Sequence, residues 1–148
     1  MNIEPLPSIE EVIPLLAECN LPVADILPSS SRHFFGVRVG GALAAVVCLE
    51  LYPPLGLLRS LAVAPTFRGR GLARELVAFA ESFSAAQSVE SLFLLTTTAE
   101  GLFLRLGYSP ASRSEAPSAI QATSQFSSLC PSSSAFLSKH FATVRGNP

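Results

Sequence analysis

Apolar positions along this chain follow two different periods, and the changes of period mark its elements. Phe34 to Val39 alternates, Gly40-Gly41 supplies a two-residue hairpin turn, and Ala42 to Leu51 is the return strand. Its unbroken apolar run, Ala42 to Leu49, stops at Glu50. It is far too short to span a bilayer and predicts a strand buried on both faces. Pro53-Pro54 and Gly56 make the next turn, and Leu57 to Val63 is a second buried strand, broken by Pro65 and Thr66. From Leu72 the period lengthens. Leu72, Leu76, Val77, Ala80 and Phe83 share one side of a long helix, with Arg74, Glu75 and Glu81 elsewhere. Ser91 to Thr97 is another buried strand. A short helix follows, with Ala99, Leu102, Phe103 and Leu106 inward and Gly107 as its stop.

The ends of the chain carry weaker signals. Asn2 to Leu6 predicts a short first strand, and Ser8 with Glu11 makes a capping-box pattern before a helix faced by Val12, Leu15 and Leu16. A second short helix is expected through Val23 to Leu27, ahead of a Ser29-Ser30-Ser31 loop. Beyond an extended stretch from Tyr108, Glu115 to Phe126 predicts a helix entered at Pro117, and Ala135 to Phe141 a last strand. The tail after Thr143 is expected to fray. Two strand–helix units in a mostly β chain predict an α/β sandwich, a mixed sheet flanked by helices, in a single domain over residues 1–148.

Composition narrows the setting. With 148 residues the chain is long enough for one real core. Apolar residues are 49% and charged residues 14% of it, and the mean hydropathy is +0.43, an excess compatible with a homodimer. No membrane-length segment is visible, and the acidic N-terminal stretch shows no signal-peptide pattern. Cys19, Cys48 and Cys130 are scattered without metal-ligand spacing, which fits reduced thiols in a cytoplasmic protein and predicts no metal. A net charge of −1 argues against a nucleic-acid partner.

The chemistry concentrates where the second buried strand meets the long helix. Arg68-Gly69-Arg70-Gly71-Leu72-Ala73 opens that helix, whose first-turn N–H groups lack intrahelical partners and face the positive end of the helix dipole. Glycines let the backbone come close to a phosphate oxygen, and Arg68 and Arg70 add positive charge, so the loop reads as an anion site. It lacks the Gly-Lys-Ser/Thr of a nucleoside-triphosphate P-loop.

The order Arg-x-x-Gly-x-Ala after Leu-Ala-Val-Ala-Pro resembles the pyrophosphate loop of the GCN5-related N-acetyltransferases. Ala99-Glu-Gly-Leu-Phe-Leu-Arg-Leu-Gly-Tyr108 is similar to that family's second signature, so the resemblance covers nearly the whole chain. It implies that the two central parallel strands splay apart and that acetyl-CoA is the co-substrate. Leu61, Ala62 and Val63 would meet the pantetheine arm and the thioester carbonyl, and the backbone of Gly69 to Ala73 would take the pyrophosphate. Phe103 stands where the family usually has a tyrosine that protonates the leaving thiolate, so that role does not transfer. Several less common words, Leu57-Leu-Arg-Ser-Leu-Ala-Val63, Leu94-Leu-Thr-Thr-Thr-Ala-Glu100, Pro117-Ser-Ala-Ile-Gln-Ala-Thr123 and Phe126-Ser-Ser-Leu-Cys-Pro131, resemble the arsenic-resistance-associated branch.

Glu50, at the end of a buried strand near the expected splay, is the candidate general base; the alternative is a strand-end carboxylate facing solvent. Arg59 and Ser60 flank the pantetheine strand and are candidates for the acceptor, Arg59 if the acceptor is anionic; the alternative for Arg59 is a surface or ion-paired role. Thr96 and Thr97 are placed to meet the acceptor, whereas Thr98 is expected to cap the next helix. His33 reads as an edge residue rather than a catalyst. Cys130 has no base partner in sequence and reads as a buried thiol. The whole predicts an acetyl-CoA-dependent N-acetyltransferase acting on a small-molecule amine by direct transfer, with a non-catalytic acyl-CoA-binding sensor as the rival.

Overall fold

Strands β2 (Arg32–Val39) and β3 (Ala42–Tyr52) form the hairpin that the glycine pair dictates. Gly40 and Gly41 have φ of 59° and 85°, the left-handed pair that a tight hairpin turn requires. A computed structural model describes residues 3–6, 10–19, 32–96, 99–123 and 135–141. Ser8, the predicted helix over 23–27, Thr97, Thr98 and Cys130 lie outside them. The other elements are β1 (Ile3–Pro5), α1 (Val12–Glu18), β4 (Leu55–Val63), α2 (Leu72–Ala86), β5 (Ser91–Thr96), α3 (Glu100–Arg105), β6 (Ser109–Pro110), α4 (Ser118–Gln121) and β7 (Ala135–His140).

The seven strands form one mixed sheet in the order β1-β2-β3-β4-β5-β7-β6. β4 and β5 run parallel, as a strand–helix–strand crossover through α2 demands. Their ladder joins Leu55, Gly56 and Leu57 to Ser91, Leu92 and Phe93, and β4 then continues to Val63. The pairs β1–β2, β2–β3, β5–β7 and β6–β7 are antiparallel.

The chain divides into two compact units. The first comprises Met1–Glu50 with Leu58–Ser82, the second Leu51–Leu57 with Phe83–Pro148. In the first, α1 lays Val12, Leu15 and Leu16 against Leu6, Phe34, Val46, Cys48 and Ala62. Phe35 neighbours Phe34 and so faces the other side of the sheet. There it meets Phe79 of α2 edge-on at 4.9 Å. In the second, Leu57, Phe93, Ala116, Ile120 and Phe136 form the core, with Phe93 and Phe136 stacked at 5.7 Å.

Some elements differ from expectation. β4 starts at Leu55, because Gly56 pairs with Leu92 inside the sheet instead of turning. On α2 the buried stripe is Leu72, Leu76, Val77, Ala80 and Ser84. The four-residue row carries the burial on to Ser84, leaving Phe83 half-buried and the Ser84 hydroxyl without a hydrogen-bond partner. α4 has four residues, and the Thr123 hydroxyl, donating to the Ile120 carbonyl at 2.7 Å, holds the chain just past its end. Among the described residues no helix is long and apolar enough to cross a membrane.

Candidate active site

The loop between β4 and α2 has the conformation that its glycines suggest. Gly69 and Gly71 have φ of 82° and 80°, in the left-handed region where a side chain is strained. A Cβ at either position would meet no heavy atom within 4 Å, so conformation rather than crowding selects glycine there. Gly71 accepts the Glu75 N–H at 3.1 Å and starts a fifteen-residue helix. The space over the glycines and the helix's first-turn donors suit the anionic group of a bound co-substrate.

The two loop arginines are placed differently. Arg70 lies over the Phe67 ring at 5.2 Å, a cation–π contact that fixes its stem at the surface. Arg68 turns back onto the strand end. Its Nε donates to the Val63 carbonyl at 3.1 Å and one terminal nitrogen lies 3.6 Å from the Cys19 sulfur. The Cys19 thiol also donates to the Val63 carbonyl, at 3.6 Å. Of the expected pantetheine residues, Ala62 is buried in the core under α1, while Leu61 and Val63 are half-buried.

Glu50 does not face solvent. It is 1% exposed, and its Oε2 accepts from Arg59 Nη1 at 2.7 Å and from Arg32 Nε at 3.2 Å. The Arg59 side chain is fully buried in this cluster, whereas that of Arg32 is 18% exposed. Burying a carboxylate demands such pairing, since an isolated charge taken out of water is far less stable. Arg59 Nε also donates to the Ser60 hydroxyl at 3.3 Å, and Ser60 has a φ of 58°. A non-glycine residue held there costs about 1–3 kcal/mol, which the surrounding structure must offset.

In the second unit, the Thr96 hydroxyl accepts the Ala99 N–H at 2.9 Å. It therefore satisfies the N–H of the residue that precedes α3. Phe103 is buried and meets the Tyr108 ring edge-on at 5.4 Å, while the Lys139 ammonium lies 5.6 Å over that ring and donates to the Leu106 carbonyl at 3.0 Å. His33 sits in β2 opposite Leu49. Among the described residues no three His, Cys, Asp or Glu side chains gather as a metal site would require.

A model of the Acetyltransferase (GNAT) family matches residues 6–108. The chain belongs to this family. The matched span includes the GNAT loop, the Glu50 cluster and α3. An amino-acid acetyltransferase of Ectopseudomonas mendocina (strain ymp) is 33% identical over 125 residues, which are 80% of this chain and 28% of that protein. An uncharacterized N-acetyltransferase of Chlorobaculum tepidum, CT2212, is 33% identical over 90 residues, 60% of this chain and 57% of that protein. The chain thus spans less than two thirds of either relative. Among solved structures, N-acetylglutamate synthase from Neisseria gonorrhoeae superposes with a TM-score of 0.76 at 18% identity, over 96% of this chain and 36% of that one. Tetrahymena GCN5 does so with a TM-score of 0.75 at 13% identity, over 96% and 97%. At such identities these structures speak for the GNAT fold, which agrees with the mixed sheet and its flanking helices.

The sequence reading missed Arg32, Cys19 and the backbone of Ser60. Arg32 lies across the hairpin from the end of β3, but its pairing with Glu50 depends on a register shift between Val37 and Arg38 that the residues do not signal. Cys19 and Ser60 carry no signal either.

Proposed function

We propose that this GNAT chain is an acetyl-CoA-dependent N-acetyltransferase, a single domain that moves an acetyl group directly to the amine of a small molecule. The observation that carries this reading is the glycine loop, with two left-handed residues opening a long helix beside two arginines. Acetyl-CoA supplies a thioester already activated for attack. The loop's N–H groups hold the pyrophosphate, and Arg70 adds its charge from the Phe67 ring. The backbone of Leu61 to Val63 holds the pantetheine arm and aims N–H donors at the thioester oxygen, worth about 3 kcal/mol for each well-placed donor. The amine attacks once it is neutral, without an acyl-enzyme.

An amino-acid-like acceptor fits the amino-acid acetyltransferase among the relatives, and N-acetylglutamate synthase, solved with coenzyme A and N-acetyl-glutamate, has the same fold. A toxic or antibiotic-like amine is the other member of the proposed class. The words resembling the arsenic-resistance-associated branch and the scattered cysteines keep a cytoplasmic detoxification setting within the proposal. A general-base role for Glu50 is a second reading, favoured by its burial near the end of β3. The two guanidinium donors on its Oε2 weigh against it, since they stabilise the carboxylate and so make it a poorer proton acceptor. The sensor alternative rests on Phe103, a buried ring where the family tyrosine would stand.

A thiol-release screen with acetyl-CoA over amino acids, polyamines and aminoglycosides tests the proposal. Amine-dependent release of coenzyme A is the expected result. Tight coenzyme A binding by calorimetry without release for any amine would favour the sensor, and absence of binding would overturn both.

A further inference from the structure

Side chains of adjacent residues in a β-strand point to opposite faces. Arg59 and Ser60 break that rule, for the Arg59 Nε donates to the Ser60 hydroxyl at 3.3 Å. The contact exists because Ser60 is left-handed, with φ of 58°, in the middle of β4. Nothing in the residue type asks for this conformation, so tertiary contacts must impose it. Those contacts are charged and buried. Arg59 is fully buried and anchors through Nη1 on Glu50, which Arg32 also grips. Beyond the reversal the strand regains alternation, with Ala62 in the core and Leu61 and Val63 half-buried.

We propose that Glu50, Arg59 and Ser60 form a buried lock that holds the reversal in β4 and thereby sets the direction of the backbone N–H groups at Leu61 to Val63. On this assignment Glu50 is a positioning residue, and the amine's proton leaves by another route. The inference rests on the proposed transferase reading for its catalytic consequence. The lock itself is a property of the free protein.

Two measurements on the full chain test it. Amide hydrogen exchange, followed by NMR, should quicken at Leu61 to Val63 in Glu50→Gln and in Ser60→Ala. Ser60→Gly should exchange more slowly than Ser60→Ala, because glycine accepts the left-handed conformation without strain. In turnover, Glu50→Gln and Ser60→Ala should each lower kcat about tenfold or more, as expected of misaimed groups, with a smaller fall in coenzyme A affinity because the glycine loop is intact. Ser60→Gly should retain more activity than Ser60→Ala, and the Glu50→Gln/Ser60→Ala pair should be no worse than the poorer single variant. The ionisation limb of the kcat–pH profile should survive in Glu50→Gln.

Loss of that limb in Glu50→Gln would make the carboxylate a base and overturn the proposal. Equal defects in Ser60→Gly and Ser60→Ala would do so as well, by assigning the effect to the hydroxyl. Should Glu50→Gln fail to fold, the two Ser60 variants decide. Wild-type protein that neither binds coenzyme A nor transfers acetyl groups would sink the transferase reading, while unchanged exchange at Leu61 to Val63 would sink the lock.

Discussion

Strand β2 carries an ionic cluster at each end, and the two are near opposites. At its C-terminal end Arg38 clamps Glu11 with paired bonds of 2.6 and 2.7 Å and reaches Glu4 at 3.4 Å, one cation between two anions at the surface. At its N-terminal end Arg32 and Arg59 share the buried Glu50, one anion between two cations. The exposed cluster has the better hydrogen-bond geometry. It nevertheless contributes little, because water screens it and solvates each partner well when apart. The buried cluster has little access to that alternative: the Glu50 carboxylate and the Arg59 guanidinium are sealed from water and rely on one another for compensation. Burial, rather than bond length, decides which cluster the fold depends on.

The largest test of that contrast is Glu50→Ala. It leaves Arg59 charged and sealed from water, and urea denaturation should show a loss of about 3–5 kcal/mol. A loss within error of zero would mean that water enters the cluster and that the contrast is false. Next comes the glycine loop, a third charged region of the same unit, whose proposed work is done by backbone rather than by ion pairs. Gly71→Glu sets a carboxylate and a strained φ where the pyrophosphate is expected. Coenzyme A affinity should fall at least tenfold, equivalent to about 1.4 kcal/mol, in a folded variant. Calorimetry with unchanged affinity would remove the loop from the site.

A smaller effect is expected for Arg32→Gln. Its side chain reaches solvent and Glu50 keeps Arg59, so the loss in urea should be about 1 kcal/mol, because water partly replaces the lost hydrogen bond. A loss as large as that of Glu50→Ala would show that the rim is as critical as the centre. Smallest of all is Glu11→Gln. The hydrogen bond from Arg38 holds the Glu11 carboxyl below its ordinary value of 4.5, against the opposing effect of desolvation. The stabilisation is therefore complete above that value and fades as pH falls through the lowered one. Thermal midpoints of wild type and variant should differ slightly at neutral pH, converge in strong acid, and converge also in high salt. A gap that persists in acid would point to packing rather than charge.

Much of the fold could be read in the residues because their signals are local. Gly40-Gly41 specifies a hairpin by its own backbone preference, and Arg68 to Ala73 specifies a loop that needs two left-handed positions. The Glu50 cluster was less legible because it depends on register. Counting back from the turn, with Arg38 opposite Leu43, sets Arg32 opposite Leu49, on the wrong face to reach Glu50. A bulge between Val37 and Arg38 shifts the ladder by one, and Arg32 then stands opposite Glu50. No residue there announces a bulge. Ser60 is harder still, since serine gives no hint of a left-handed conformation and the forces that impose it come from two other strands. Thr96 shows how a helix start draws on residues upstream, since the hydroxyl that serves the Ala99 N–H comes from three residues before it; Thr98 lies outside the described residues.

The same bulge bears on how the chain can change length. Val37 pairs with Ala45 and Arg38 with Leu43, so Ala44 is the residue left over. Its deletion would remove the bulge and leave every pairing from Val37–Ala45 to Arg32–Glu50 in place. Deleting Val47 instead would slide the later residues of β3 by one and turn Glu50 toward the opposite face, away from both arginines. The β2–β3 pairing thus tolerates a change of length at Ala44 and not at the next few residues; what holds Ala44 in place is its burial and its carbonyl, which accepts the Ala64 N–H at 2.8 Å just past the end of β4.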